Sequence, residues 1–152
     1  GRQGLMCAVE EGALSAGGMA IGVIPRFMIE AGWHHQSLTE LRITENMHER
    51  KQLMADLSEA AIALPGGCGT MEELLEIITW KQLGLYPHPI IILNINGYYN
   101  SLIDQLQHAV EEHFMGEIHS RIWSVASTPE EALAIIVETP AWDSSVRKYA
   151  AL

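Results

Sequence analysis

Residues Leu64-Pro65-Gly66-Gly67-Cys68-Gly69-Thr70 are the segment best suited to chemistry. They join an apolar run to a helical pattern, and three glycines let backbone approach a ligand closely. Thr70 reads as the N-cap of the helix that follows and offers a hydroxyl. The first N–H groups of a helix lack intrahelical partners, and its dipole adds positive potential there, so a phosphate is the natural guest. Met71, Glu72 and Glu73 follow, with Glu73 expected in the first turn. A carboxylate there is favoured in its ionised form, suited to act as a base or an electrostatic stabiliser. Each feature has a plainer use. The glycines also suit a tight structural turn, and Glu72, Glu73 and Glu76 also suit a solvated face that complements the dipole. A second candidate segment is Asn46-Met47-His48-Glu49-Arg50-Lys51. Arg50 offers a rigid fork for phosphate or carboxylate and Lys51 a point charge, although such a pair on a helix is usually ordinary surface.

The elements that must position these residues follow from the hydrophobic pattern. Leu5 to Ala16 is helical by spacing, with Gly17-Gly18 as its stop. Met19 to Ile24 reads as a buried strand ended by Pro25, Arg26 to Ala31 as a helical turn, and Gly32 to Thr39 as loop. Glu40 to Thr44 is a second strand. Asn46 and Glu49 then have capping-box spacing ahead of a helix. Ala60 to Leu64 reads as a buried strand, and the helix opened at Thr70 runs to about Leu83. Pro89 to Ile95 is the clearest strand, followed by a helix from Tyr99 to Phe114 and a short strand from Ile122 to Ala126. Thr128 caps a last helix with Pro129 at its first position, and from Thr139 a polar tail follows. Apolar strands alternating with helices predict a parallel sheet covered on both faces. The expectation is one doubly wound α/β domain over residues 1–152. In such sheets ligands bind beyond the carboxyl ends of the strands, where both candidate segments fall.

Composition narrows the partners. The 152 residues carry 9 basic and 19 acidic side chains, a net charge of −10. A nucleic-acid binder or a polybasic membrane-surface protein needs a cationic face, so neither is expected. Apolar residues are 48% of the chain, and mean hydropathy is +0.09, enough for a packed core. No stretch approaches the ~18 uninterrupted apolar residues of a membrane helix. Cys7 and Cys68 are too few for a disulfide framework, so a cytoplasmic setting is expected. His34-His35 and the other histidines lack metal-ligand spacing, and no metal site is expected. A Walker A loop needs Lys and Ser or Thr after its last glycine, where Thr70-Met71 stands. A dinucleotide fingerprint needs glycine three positions after Gly69, where Glu72 stands.

The two candidate segments in this order and separation resemble the LONELY GUY family of cytokinin riboside 5′-monophosphate phosphoribohydrolases, also labelled lysine decarboxylase-like. The family pattern P-G-G-x-G-T-x-x-E is matched by Pro65, Gly66, Gly67, Gly69, Thr70 and Glu73, and its Met-His-x-Arg-Lys segment by Met47, His48, Arg50 and Lys51. Gly4-Leu5-Met6, Gly22-Val23-Ile24-Pro25, Ile78-Thr79-Trp80 and Gly97-Tyr98-Tyr99 extend the similarity. The resemblance implies a Rossmann-like fold and hydrolysis of the N-glycosidic bond of a nucleoside 5′-monophosphate, AMP or an N6-substituted AMP. It assigns catalysis to Arg50 and Glu73, and substrate or phosphate binding to Lys51, Gly66, Gly67, Cys68, Gly69, Thr70, Met71, Glu72 and Thr79. Cys68 occupies the pattern's variable position and reads as a small packing residue. A homodimer without metal or organic cofactor is implied. Arginine is a poor general acid, so Arg50 is expected to position rather than protonate. Non-catalytic relatives, such as molybdenum-cofactor carrier proteins, supply the alternative of binding without cleavage.

Lysine decarboxylation itself finds no support around Lys51, Lys81 or Lys148. Trp80, seven residues after Glu73 on the same helix face, can pack or stack on a base, while Trp123 and Trp142 read as packing residues. Family members carry a strand, a helix, a second strand and a glycine-rich segment before the Gly-Leu-Met that stands here at residues 4–6. A βαβ unit takes roughly 30 or more residues. The chain is therefore expected to be a fragment, with Gly1 to Gly4 the tail of that glycine-rich segment.

Overall fold

A computed structural model describes residues 3–34, 37–143 and 145. His35, Lys148 and the first two residues lie outside the described residues. The architecture is mixed α/β with parallel sheets, a Rossmann-like arrangement, and it divides into two compact units, Gly1–Leu57 and Ser58–Leu152.

In the first unit, α1 (Gly4–Ser15) precedes β1 (Ile21–Pro25), α2 (Arg26–Glu30), β2 (Glu40–Thr44) and α3 (Met47–Leu57). Helix α1 stops where the glycines predict. Gly17 takes φ +77°, its N–H donates to Leu14 O at 3.0 Å, and the Gly18 N–H donates to Ala13 O at 2.8 Å. That pair of hydrogen bonds satisfies carbonyls of the last turn through a left-handed residue. β1 and β2 pair in parallel, Ile21 opposite Glu40 through Pro25 opposite Thr44. β1 begins two residues later than its apolar pattern suggests and is not buried throughout. Met19 and Ile21 are exposed, and only Pro25 of the strand is buried. Apolar patterning reports that a residue suits burial, while actual burial depends on what lies across the sheet.

The second unit contains β3 (Ala61–Ala63), α4 (Cys68–Gln82), β4 (Ile90–Leu93), α5 (Asn100–Glu111), β5 (Ser124–Ala126) and α6 (Pro129–Glu138). Short 3₁₀ turns occupy Ile95–Gly97 and Glu117–Arg121. The strand order is β3-β4-β5, all parallel. β4 is central and every one of its residues is buried, which is why its sequence is apolar on both faces. Strand β3 is shorter than expected and lies at the edge of this sheet, so Ile62 is 38% exposed rather than buried. Ile91, Leu93, Ala126 and Ala132 form a core cluster, packed by Leu64, Ile95, Ile135 and Ile136. Helix α6 is capped as its sequence predicts, with Thr128 Oγ1 accepting from the Glu131 N–H at 3.2 Å. Just after Thr139, Trp142 is anchored through its Nε1, which donates to Lys81 O at 3.1 Å.

Candidate functional site

The glycine segment leaves the carboxyl end of β3 and enters α4 at Cys68, two residues before the expected start. The cap is therefore Gly67, not Thr70. Gly67 takes the extended conformation of a cap (φ −87°, ψ −158°) and has no side chain with which to close the helix start. The first helical N–H to find a carbonyl is that of Met71, which donates to Gly67 O at 3.1 Å. The N–H groups of Cys68, Gly69 and Thr70 precede that bond, where helix geometry provides no acceptor.

The three glycines serve different ends. A Cβ on Gly66 would lie 2.8 Å from Thr70 Cβ, so Thr70 folds back over Gly66 and requires a glycine there. A Cβ on Gly67 or Gly69 would meet nothing within 4 Å. These two positions border open space, as a ligand-facing surface must. Cys68 is exposed beside them.

The earlier helix start also moves Glu73. It lies in the second turn, and no acidic residue occupies the first. The helix dipole falls off within the first turn, so the dipole does not by itself set the state of Glu73. Helical spacing does put it on the face of Thr70, three residues earlier on α4. Glu73 is half-buried and Glu72 exposed. Trp80 is half-buried on the face of Glu73. Thr79 falls instead on the face of Glu72, and its hydroxyl donates back to Leu75 O at 2.8 Å.

Two residues that sequence reasoning did not single out for the site support the loop from the next strand. Tyr98 and Tyr99 follow the 3₁₀ turn after β4. The Tyr98 hydroxyl donates to Gly66 O at 2.7 Å and the Tyr99 hydroxyl to Leu64 O at 2.6 Å. Burial pushes the Tyr99 phenol above its ordinary pKa, which keeps it a donor. The available signal was topological, since parallel neighbours bring their C-terminal loops side by side.

The second candidate segment belongs to the first unit. Asn46 caps α3 by accepting the Glu49 N–H on Oδ1 at 2.9 Å, and Glu49 Oε2 accepts the Glu45 N–H at 2.9 Å. The expected capping box is present, with its return bond one residue earlier than the cap. Thr44 Oγ1 donates to Asn46 O at 3.2 Å, tying the strand end to the cap. Arg50 lies in the first turn of α3, and its Nε donates to Val23 O of β1 at 3.1 Å. The guanidinium is thereby held against the β1 backbone. Lys51 follows and is half-buried. Helix α3 is thus closed by its own side chains, whereas α4 begins at a bare glycine. Among the described residues, no group of three or more His, Cys, Asp or Glu side chains is placed to hold a metal ion.

Comparison with known proteins follows the same residues. The family model described as possible lysine decarboxylase matches residues 6–136. A probable cytokinin riboside 5′-monophosphate phosphoribohydrolase of Oryza sativa subsp. japonica is 44% identical over 133 residues, covering 88% of this chain and 53% of the relative. A cytokinin riboside 5′-monophosphate phosphoribohydrolase of Rhodococcoides fascians is 47% identical over 115 residues, covering 75% and 58%. One of Arabidopsis thaliana is 42% identical over 149 residues, covering 97% and 69%. The chain therefore spans between about half and about two-thirds of the length of these relatives. The glycine segment and the Arg50-Lys51 pair lie inside the matched region, and the chain belongs to this family, that of the LONELY GUY proteins, whose model is described as possible lysine decarboxylase.

Proposed function

We propose that this chain serves hydrolysis of the N-glycosidic bond of a nucleoside 5′-monophosphate, AMP or an N6-substituted AMP. Water adds across the bond: its hydroxyl joins C1′ of the ribose and its proton passes to the base. The products are free base and ribose 5-phosphate. The observation that carries the reading is the uncapped start of α4, where Gly67 supplies no side chain and Gly67 and Gly69 border open space. The relatives' names point to the same substrate class.

In this reading the phosphate binds the N–H groups of Cys68, Gly69 and Thr70, which are otherwise without helical acceptors. Cleavage passes through an oxocarbenium-like state, as in other glycoside hydrolyses. Glu73, on the face of Thr70, stabilises the positive charge and orients the attacking water. Arg50 positions rather than protonates, because a guanidinium does not release its proton near neutral pH. Lys51 adds a point charge for the anionic substrate. Met71, Glu72 and Thr79 complete the binding set on α4. A cytoplasmic homodimer belongs to the same proposal.

Incubation with AMP and chromatography of the products tests it. Adenine and ribose 5-phosphate in equal amounts are expected. Tight AMP binding with no adenine would favour a carrier instead.

A further inference from the structure

Tyr98 is 56% exposed, yet its hydroxyl is engaged with a loop carbonyl at 2.7 Å. Solvated hydroxyls have water as an alternative, so the engagement follows from how the ring is delivered. Delivery is firmly built. The turn after β4 takes positive φ at Asn96 (53°) and Gly97 (71°). The left-handed φ of Gly97 favours glycine, and a Cβ there would also press on the Asn100 side chain. Asn94 Oδ1 accepts the Tyr99 N–H at 2.7 Å, and Asn94 Nδ2 donates to Asn100 Oδ1 at 2.8 Å. The Tyr98 ring stands edge-on to that of Tyr99, 4.9 Å between centroids at 86°.

The consequence lies in the peptide plane. In a trans peptide the carbonyl and the following N–H point in opposite directions. A bond that holds Gly66 O toward Tyr98 therefore turns the Gly67 N–H away from Tyr98. A Cβ built on Gly67 meets nothing within 4 Å, so this part of the loop has room for a ligand. Resting on the reading of the loop as a phosphate cradle, we propose that Tyr98 is a positioning residue that fixes the Gly66–Gly67 peptide so that the Gly67 N–H joins the anion-binding donors.

The test is Tyr98→Phe in the full chain. The ring and its contact with Tyr99 remain, and only the hydroxyl is lost. The Gly67 amide resonance is expected to move in ¹H–¹⁵N spectra of the ligand-free protein. The KM for AMP is expected to rise about two- to tenfold, the range one neutral hydrogen bond supplies, with kcat unchanged. An unmoved Gly67 resonance overturns the proposal, as does a moved resonance with unchanged KM. A purely structural tyrosine would lower the melting temperature and leave KM alone. If the unaltered protein releases no base from AMP, the enzymatic reading falls separately. The Tyr98 proposal is then decided with inorganic phosphate. Phosphate-induced movement of the Gly67 resonance in the unaltered protein, lost in Tyr98→Phe, supports it. No movement in the unaltered protein, or movement retained in the variant, overturns it.

Discussion

The Tyr99 hydroxyl donates to the Leu64 carbonyl at 2.6 Å, joining the start of α5 to the first residue of the glycine segment. Tyr99 is 2% exposed, so the phenol has little access to water as an alternative partner. Removing only the oxygen leaves a part-buried carbonyl without its donor. Tyr99→Phe is therefore expected to cost about 1–3 kcal/mol. Denaturant melts read this as a lower midpoint at unchanged slope, and a midpoint equal to that of the parent would contradict it.

Gly66 and Gly67 are adjacent and identical in type but are expected to respond differently to a methyl group. Gly66→Ala would press on Thr70 and is expected to lower stability by about 1–3 kcal/mol, as overpacking does. Gly67→Ala enters open space and should leave the melting temperature near that of the parent. Its methyl would instead occupy the space proposed for the ligand. Displacing one charge-assisted hydrogen bond, worth about 1.5–3 kcal/mol, would weaken ribose 5-phosphate binding at least about tenfold. Calorimetric titration beside thermal melts of both variants checks the contrast, which a parallel response would contradict.

Much of this was legible in the sequence, and each exception has its own physical cause. Thr128, Asn46 and Gly17 announced their caps and stop because capping depends on a few adjacent residues. Ile90 to Leu93 announced a strand apolar on both faces, because burial on both faces leaves no polar position; its central place in the sheet came from the structure. Thr70 misled because Ser and Thr are favoured caps, while a glycine filling the cap position leaves no side-chain signal. The correction carried Glu73 from the first turn to the second. Ile62 misled because a residue in an edge strand looks the same in sequence as one in a central strand. Tyr98 and Tyr99 were unreadable as loop supports, since their partners lie 32 and 35 residues away. Only the parallel register of β3 with β4 brings the two loops together.

Glu73 and Arg50 are expected to separate chemistry from folding. Glu73→Gln keeps size and hydrogen-bonding capacity but loses the negative charge that would face an oxocarbenium-like centre. A fall in kcat of at least about 100-fold is expected, the lower end of what a positioned acid or base supplies. Arg50→Ala is expected to abolish base release as well, and it also removes the Nε bond to Val23 O. Arg50→Lys keeps the charge but loses the fork and the Nε donor, so it separates the need for charge from the need for guanidinium geometry. Adenine release from AMP, measured beside circular dichroism of each variant, decides the matter. Full activity in a folded Glu73→Gln or Arg50→Ala protein would remove that residue from catalysis.

Lys81 gives a pH dependence with a definite sign. It is 2% exposed, its Nζ donates to His88 O at 2.8 Å, and the ammonium lies 5.2 Å from the centroid of the Trp142 ring. Burial lowers its pKa from 10.5 to about 8. Below about pH 8 both the folded and unfolded chains hold the proton, and the cost of burying the charge is fully present. Between about pH 8 and 10.5 the unfolded chain still holds a proton that the folded chain has released. Stability from this group therefore rises with pH across that window. Lys81→Met keeps most of the packing volume and removes the titration. The stability of the parent minus that of the variant should grow from neutral pH to about pH 10.5, read from urea midpoints at each pH. Parallel pH profiles for the two proteins would show that Lys81 does not titrate differently on folding.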